Sequence, residues 1–193
     1  FLQDDGTLYI VVGDATGHGL NAGMMVSITK AGLFGSDFGS PDITTSRLNQ
    51  TIKAIDLGTT RMSLNMAKFN KSSFDFTSAG MPPAYLYHGD TGVVDEILIP
   101  GLPLGSMKKA SFDLENFSMH SSDALVLLSD GLPECSNHDG EMLDYEPVLK
   151  CIENNGSKSA EGIKNALIDL GDNWMSGLMN DDDITLVVIK KKN

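Results

Sequence analysis

Apolar and polar positions divide the chain into short strand-like runs and two groups of helical segments. Residues Thr7 to Val12 (TLYIVV) are apolar and rich in β-branched and aromatic side chains, which predicts a strand. Glycine-rich GDATGHG follows at 13–19. A helix is then expected from near Asn21 to about Phe34, with Met24, Met25, Ile28, Ala31 and Leu33 facing the core. GSDFGSP at 35–41 reads as a loop. A second helix is predicted between Asp42 and Leu57, where Ile43, Leu48, Ile52 and Ile55 recur at imperfect helical spacing. Gly58 stands where a C-terminal glycine would end it.

From Arg61 to Phe117 the texture changes. Met62, Leu64, Met66 and Lys68 alternate with Ser63, Asn65 and Ala67, and Ser73–Ser78 reads as the hairpin partner across a turn at Asn70–Ser72. Tyr85–Tyr87 and Val93–Leu98 flank HGDTG, another turn sequence, so this region predicts a run of antiparallel strands. Leu125–Leu128 (LVLL) reads as a buried strand. Helical stretches follow, the clearest carrying Ile163, Leu167, Leu170, Trp174 and Leu178 on one face. Ile184–Ile189 (ITLVVI) predicts a last buried strand. Two groups of helices with strands between and around them make an α+β pattern, with helices packing on sheets in layers.

Composition narrows the function classes more than the fold. A length of 193 residues suits a single domain spanning 1–193. With 41% hydrophobic and 21% charged residues the chain is a globular rather than a disordered one. No apolar run approaches the roughly 20 residues that cross a bilayer, and no basic segment precedes an apolar one at the start. No membrane contact by this domain and a cytoplasmic location are therefore expected. Cys135 and Cys151 sit in no metal-like spacing and read as two reduced thiols. A net charge of -12 argues against nucleic acid as a partner. It is compatible with divalent-cation binding and equally with plain solubility.

The placement of the acids adds the chemistry. Asp14 follows one apolar strand and Asp130 another, each at the C-terminal end. Asp181, Asp182 and Asp183 immediately precede the last strand. If that strand runs antiparallel to the other two, these carboxylates gather at one edge of the sheet. Clustered carboxylates repel and call for a counter-charge, and an oxygen-only donor set suits Mg²⁺ or Mn²⁺ better than Zn²⁺. Each acid taken alone also reads as a turn residue capping backbone N–H groups. The glycines of GDATGHG fit either a sharp strand-to-helix turn or a close backbone approach to a metal or phosphate. His18 is either a polar loop residue or a proton or water contact. No G-x-S-x-G, H-E-x-x-H or P-loop is present, and CSNH at 135–138 lacks an arginine to hold a phosphate. Arg47 and Arg61, the only arginines, read as surface residues.

Taken in order, these motifs resemble a known family. VVGDATGHGLNAGMM, FTSAGMPPAYLY, GLPLG, LVLLSDGLPE and DDDITLVVIK are similar to successive signatures of the RsbU/SpoIIE-type bacterial serine phosphatases, a branch of the protein phosphatase 2C (PPM) family. The matches cover nearly the whole chain. The resemblance implies a four-layer α-β-β-α sandwich of two antiparallel sheets flanked by helices, with a centre of two divalent cations, Mn²⁺ or Mg²⁺. By the same resemblance Asp14 and the backbone carbonyl of Ala15 are metal ligands, and Asp130 and Asp182 hold the second ion. Asp183 takes the variable place beside them, a register that the triple aspartate leaves open. Gly17 and Gly19 shape the loop and Gly131 the turn after Asp130. The family's first motif, roughly G-D-x-Y-D, has no counterpart here, so an N-terminally truncated domain lacking one or two strands is expected.

The implied reaction uses no protein nucleophile: water activated by two cations attacks the phosphorus of a phosphoserine or phosphothreonine. The implied substrate is a phosphorylated protein, an anti-sigma-factor antagonist in bacterial partner-switching signalling. Fusion to an upstream sensor or regulatory domain is expected, and a dimer is left open. The rival reading is a catalytically inactive module of the same fold that binds a partner protein. A metal-dependent nuclease shares the carboxylate logic but conflicts with the acidic charge.

Overall fold

The computed structural model describes residues 1–180 and 182–192, and Asp181 lies outside them. The chain is α+β, and the described residues form two antiparallel four-stranded sheets and four helices. It divides into two compact units. The first comprises Phe1–Met81 and Ile99–Ser118, and the second Pro82–Leu98 and Met119–Asn193.

In the first unit β1 (Leu8–Ala15), β2 (Met62–Phe69), β3 (Ser73–Ala79) and β6 (Glu115–Ser118) form a sheet in the order β1-β2-β3-β6. Alternation builds one side of it: Met62, Leu64 and Met66 of β2 point into a core shared with helices α1 (Leu20–Phe34) and α2 (Pro41–Ile55). The returning segment is anchored by buried Asn49 of α2. Its amide donates to the Met107 carbonyl at 2.9 Å, and its side-chain oxygen accepts from the Gly105 N–H at 2.8 Å. Both atoms of a buried amide are thereby satisfied, and a loop far away in sequence is tied to the helix.

Two expectations for these helices are corrected. The buried face of α1 is Met25, Thr29 and Leu33, spaced by four. Met24 and Ala31 are exposed, while half-buried Ile28 packs against the core as expected; the helix is apolar nearly all round. Periodicity cannot choose a face on such a helix. The C-cap of α2 is Asp56, in a left-handed conformation (φ 54), and Gly58 (φ 64), also left-handed, stands two residues beyond it. Asp tolerates this conformation better than most side chains.

In the second unit β4 (Ala84–Tyr87), β5 (Val94–Ile97), β7 (Ala124–Leu128) and β8 (Leu186–Lys190) form a sheet in the order β5-β4-β7-β8. All five residues of β7 are buried, as expected for a central strand. Helices α3 (Tyr145–Asn155) and α4 (Ala160–Met175) bury Val148, Ile152, Ile163 and Leu167 against this sheet. Leu178 does not continue the α4 face, because Ser176 (φ 48) and Gly177 (φ 90) turn the chain out of the helix. Ile184 and Thr185 precede β8 rather than belonging to it.

This topology corrects one further expectation. Asp14 sits on β1 of the first unit's sheet. Asp130 follows β7 of the other sheet, and Asp182 precedes that sheet's β8. The three acids therefore do not share one sheet edge. The antiparallel relation holds for β7 and β8, whose register pairs Leu128 with Leu186. It brings the residues after β7 beside the residues before β8.

Candidate functional site

The second unit supplies the clearest chemistry. β7 ends at Leu128 and the chain turns at once through Ser129, Asp130 and Gly131. The returning loop passes alongside. Ser129 is fully buried, and its hydroxyl donates to the Asp183 carbonyl at 3.2 Å while accepting from the Thr185 N–H at 2.9 Å. Across Gly131 the loop comes closer still. A Cβ there would lie 2.4 Å from the Asp183 carbonyl oxygen, so this glycine is required by close backbone approach rather than by a left-handed turn.

These contacts place carboxylate oxygens of Asp130 and Asp182 within 4.8 Å of each other. Asp130 is half-buried, and its Oδ1 is buried with no hydrogen-bond partner among the described residues. Asp182 is exposed, and its Oδ1 accepts from the Asp183 N–H at 2.8 Å. Two carboxylates this close repel by about 1 kcal/mol in a water-like dielectric, and by more where solvent is excluded. A buried carboxylate oxygen without a donor adds to that cost. A hard divalent cation answers both, and the donor set of oxygens alone fits Mg²⁺ or Mn²⁺. The acidic field reaches further, since burial, then Glu134 and Asp130, push the Tyr145 hydroxyl above its ordinary range. A cavity of about 350 Å³ opens beside Asp182, lined in part by Gly131, Glu134, Ser136 and Asn180.

Asp14 is the next-to-last residue of β1 and is half-buried opposite Ser63 of β2. Ala15 ends the strand, paired with Met62. Beyond it the loop is pinned back to the sheet. The Thr16 N–H donates to the Arg61 carbonyl at 3.0 Å, and the Thr16 hydroxyl accepts from the Arg61 N–H at 2.8 Å. Arg61 also closes its own turn, donating to the carbonyls of Gly58 and Thr60. Gly17 (φ 81) and Gly19 (φ 82) take left-handed conformations with open space where a Cβ would stand. They shape the loop by conformation, unlike Gly131. His18 between them is exposed. Gly13 was not singled out by the sequence, yet a Cβ there would lie 2.8 Å from the Ser63 carbonyl oxygen.

The cysteines stand apart from this chemistry. Both are free, and both pack in the second unit's hydrophobic core. Burial pushes the Cys135 thiol up, which disfavours the thiolate that a cysteine nucleophile requires. Among the described residues no helix is long and apolar enough to cross a membrane.

The fold is that of known protein phosphatase domains. The SiaA-PP2C domain of Pseudomonas aeruginosa aligns with a TM-score of 0.81 at 14% identity, covering 95% of this chain and 79% of that one. The catalytic domain of the serine/threonine protein phosphatase PstP, in complex with two manganese ions, aligns at 0.68 and 16% identity, covering 93% and 86%. In sequence, the family model for stage II sporulation protein E (SpoIIE) matches residues 4–192, and the chain belongs to that family. It is 28% identical over 202 residues to the phosphoserine phosphatase RsbU of Bacillus subtilis (strain 168). The match takes in all of this chain but spans only 58% of the length of RsbU.

Proposed function

We propose that this chain is a metal-dependent protein phosphatase domain that hydrolyses phosphoserine or phosphothreonine in a protein substrate. The observation that carries the reading is the Asp130–Asp182 pair, with a buried Asp130 oxygen that has no partner among the described residues. Membership of the SpoIIE family and the likeness to RsbU support the reaction class.

In this reading Asp130 and Asp182 hold one divalent cation, with Asp183 beside them. Asp14 and the Ala15 carbonyl hold the other, and residues 1–193 work as one domain. Bound Mn²⁺ or Mg²⁺ supplies Lewis acidity that makes water a nucleophile near neutral pH and offsets phosphoryl charge. The residues of the chain itself bind and orient. The Ser129 hydroxyl fixes the spacing of the two loops, and Gly131 admits the Asp183 carbonyl. The Thr16–Arg61 pair holds the chain beyond Asp14 in place. Gly17 and Gly19 carry the turn into α1, leaving exposed His18 to contact water or a departing proton. The finer assignment of substrate is an anti-sigma-factor antagonist, which the likeness to RsbU supports, with the domain working in the cytoplasm as the output of a longer signalling protein.

A direct assay tests the reaction class. Release of phosphate from a phosphoserine protein is expected with Mn²⁺ or Mg²⁺ and is expected to stop on addition of EDTA. Turnover that persists in EDTA would refute a metal-dependent mechanism.

A further inference from the structure

We infer that Asn180 is a positioning residue for the acidic pair, a role that rests on the metal-dependent reading above. It lies outside the strands and helices, on the loop leaving α4, two residues before Asp182. Its side-chain amide donates to the Gly131 carbonyl at 2.9 Å and to the Asp182 carbonyl at 2.7 Å. One NH₂ group thus joins the backbone immediately after Asp130 to the backbone of Asp182 itself. The two donors of a primary amide are suited to such a bridge, whereas a hydroxyl has a single donor.

The bridge answers a definite problem. Asp182 is exposed and stands on a loop that repulsion from Asp130 would push outward when no cation is bound. The hydroxyl of Ser129 fixes that loop from the strand side, through Asp183 and Thr185. Asn180 fixes it from the other side, through Gly131. Asp182 is held between the two clips. Its Oδ1 is further oriented by the Asp183 N–H, so both the place and the rotation of the carboxylate are set before an ion arrives. Groups that orient a metal ligand without touching the ion commonly govern affinity by tenfold to a hundredfold. A mere loop tether predicts something different: lower stability with metal affinity unchanged.

The test is calorimetric titration of Mn²⁺ into the 193-residue chain and its Asn180→Ala variant, with thermal unfolding of both in EDTA. The inference expects Mn²⁺ binding weakened about tenfold or more, with the metal-free unfolding midpoint moved by only a few degrees. Equal Mn²⁺ affinity in the two proteins would overturn it. If wild type takes up no Mn²⁺, the underlying metal reading fails instead, which is a separable result. Should Asn180→Ala not fold, Asn180→Ser is scored by the same comparison, because one hydroxyl donor cannot span both carbonyls.

Discussion

Replacing Asp130 by asparagine is expected to lower kcat/KM on a phosphoserine protein by a hundredfold to a thousandfold, the range seen when one preorganised electrostatic contact is removed from an active site. The substitution keeps the size and shape of the side chain, removes its charge and exchanges one acceptor oxygen for an NH₂ donor. Stability in the absence of metal should not fall, because Asp130 Oδ1 accepts no hydrogen bond among the described residues. It should rise slightly, since the substitution removes the repulsion between Asp130 and Asp182. The two readouts together are diagnostic. Lost turnover with unchanged or raised metal-free stability marks a group kept for function rather than for the fold. Steady-state kinetics and urea unfolding of the one variant supply both. Turnover equal to wild type would remove Asp130 from the mechanism.

Gly131→Ala is expected to have the largest effect of any single-methyl addition at the site. The added Cβ would meet the Asp183 carbonyl oxygen at 2.4 Å and its carbonyl carbon at 2.9 Å. Both are backbone atoms, the carbonyl oxygen accepting from the Ser129 hydroxyl, and cannot swing aside as a flexible side chain would. Overpacking of this kind costs about 1–3 kcal/mol, and the unyielding backbone neighbours put this position at the upper end. It also moves the loop carrying Asp182, so Mn²⁺ affinity should fall by tenfold or more alongside stability. Gly17→Ala is the informative contrast. It meets nothing within 4 Å and pays only for its positive φ, about 1–2 kcal/mol. A drop in urea midpoint for Gly131→Ala no greater than for Gly17→Ala would contradict the close-approach role.

Much of this was legible in the sequence, for a physical reason. β7 stands out because a buried strand is an apolar run, β1 is as apolar although only Tyr9 and Val12 of it are buried, and the acids stand out because each abuts an apolar run. The antiparallel run from Arg61 to Phe117 was legible from alternation and turn residues. Other features depended on long-range placement, which a local pattern does not encode. The division of strands between two sheets decides that Asp14 and Asp130 belong to different sheets, and nothing in TLYIVV or LVLL distinguishes one sheet from the other. The core face of α1 was misjudged because Met24 and Met25 are equally apolar and adjacent, so only packing selects Met25. Asn180 and Thr16 were invisible for a related reason. Both act on backbone atoms, and the partners of Thr16 lie 45 residues away at Arg61. The one available signal was modest: a polar residue with two donors stood beside the acidic triple.

The most direct measurement is an anomalous difference map at the manganese edge from crystals soaked in Mn²⁺. The expected result is a peak in contact with carboxylate oxygens of both Asp130 and Asp182, lost in Asp130→Asn crystals. Well-ordered density for both side chains with no manganese between them would contradict the claim that this pair exists to hold a cation.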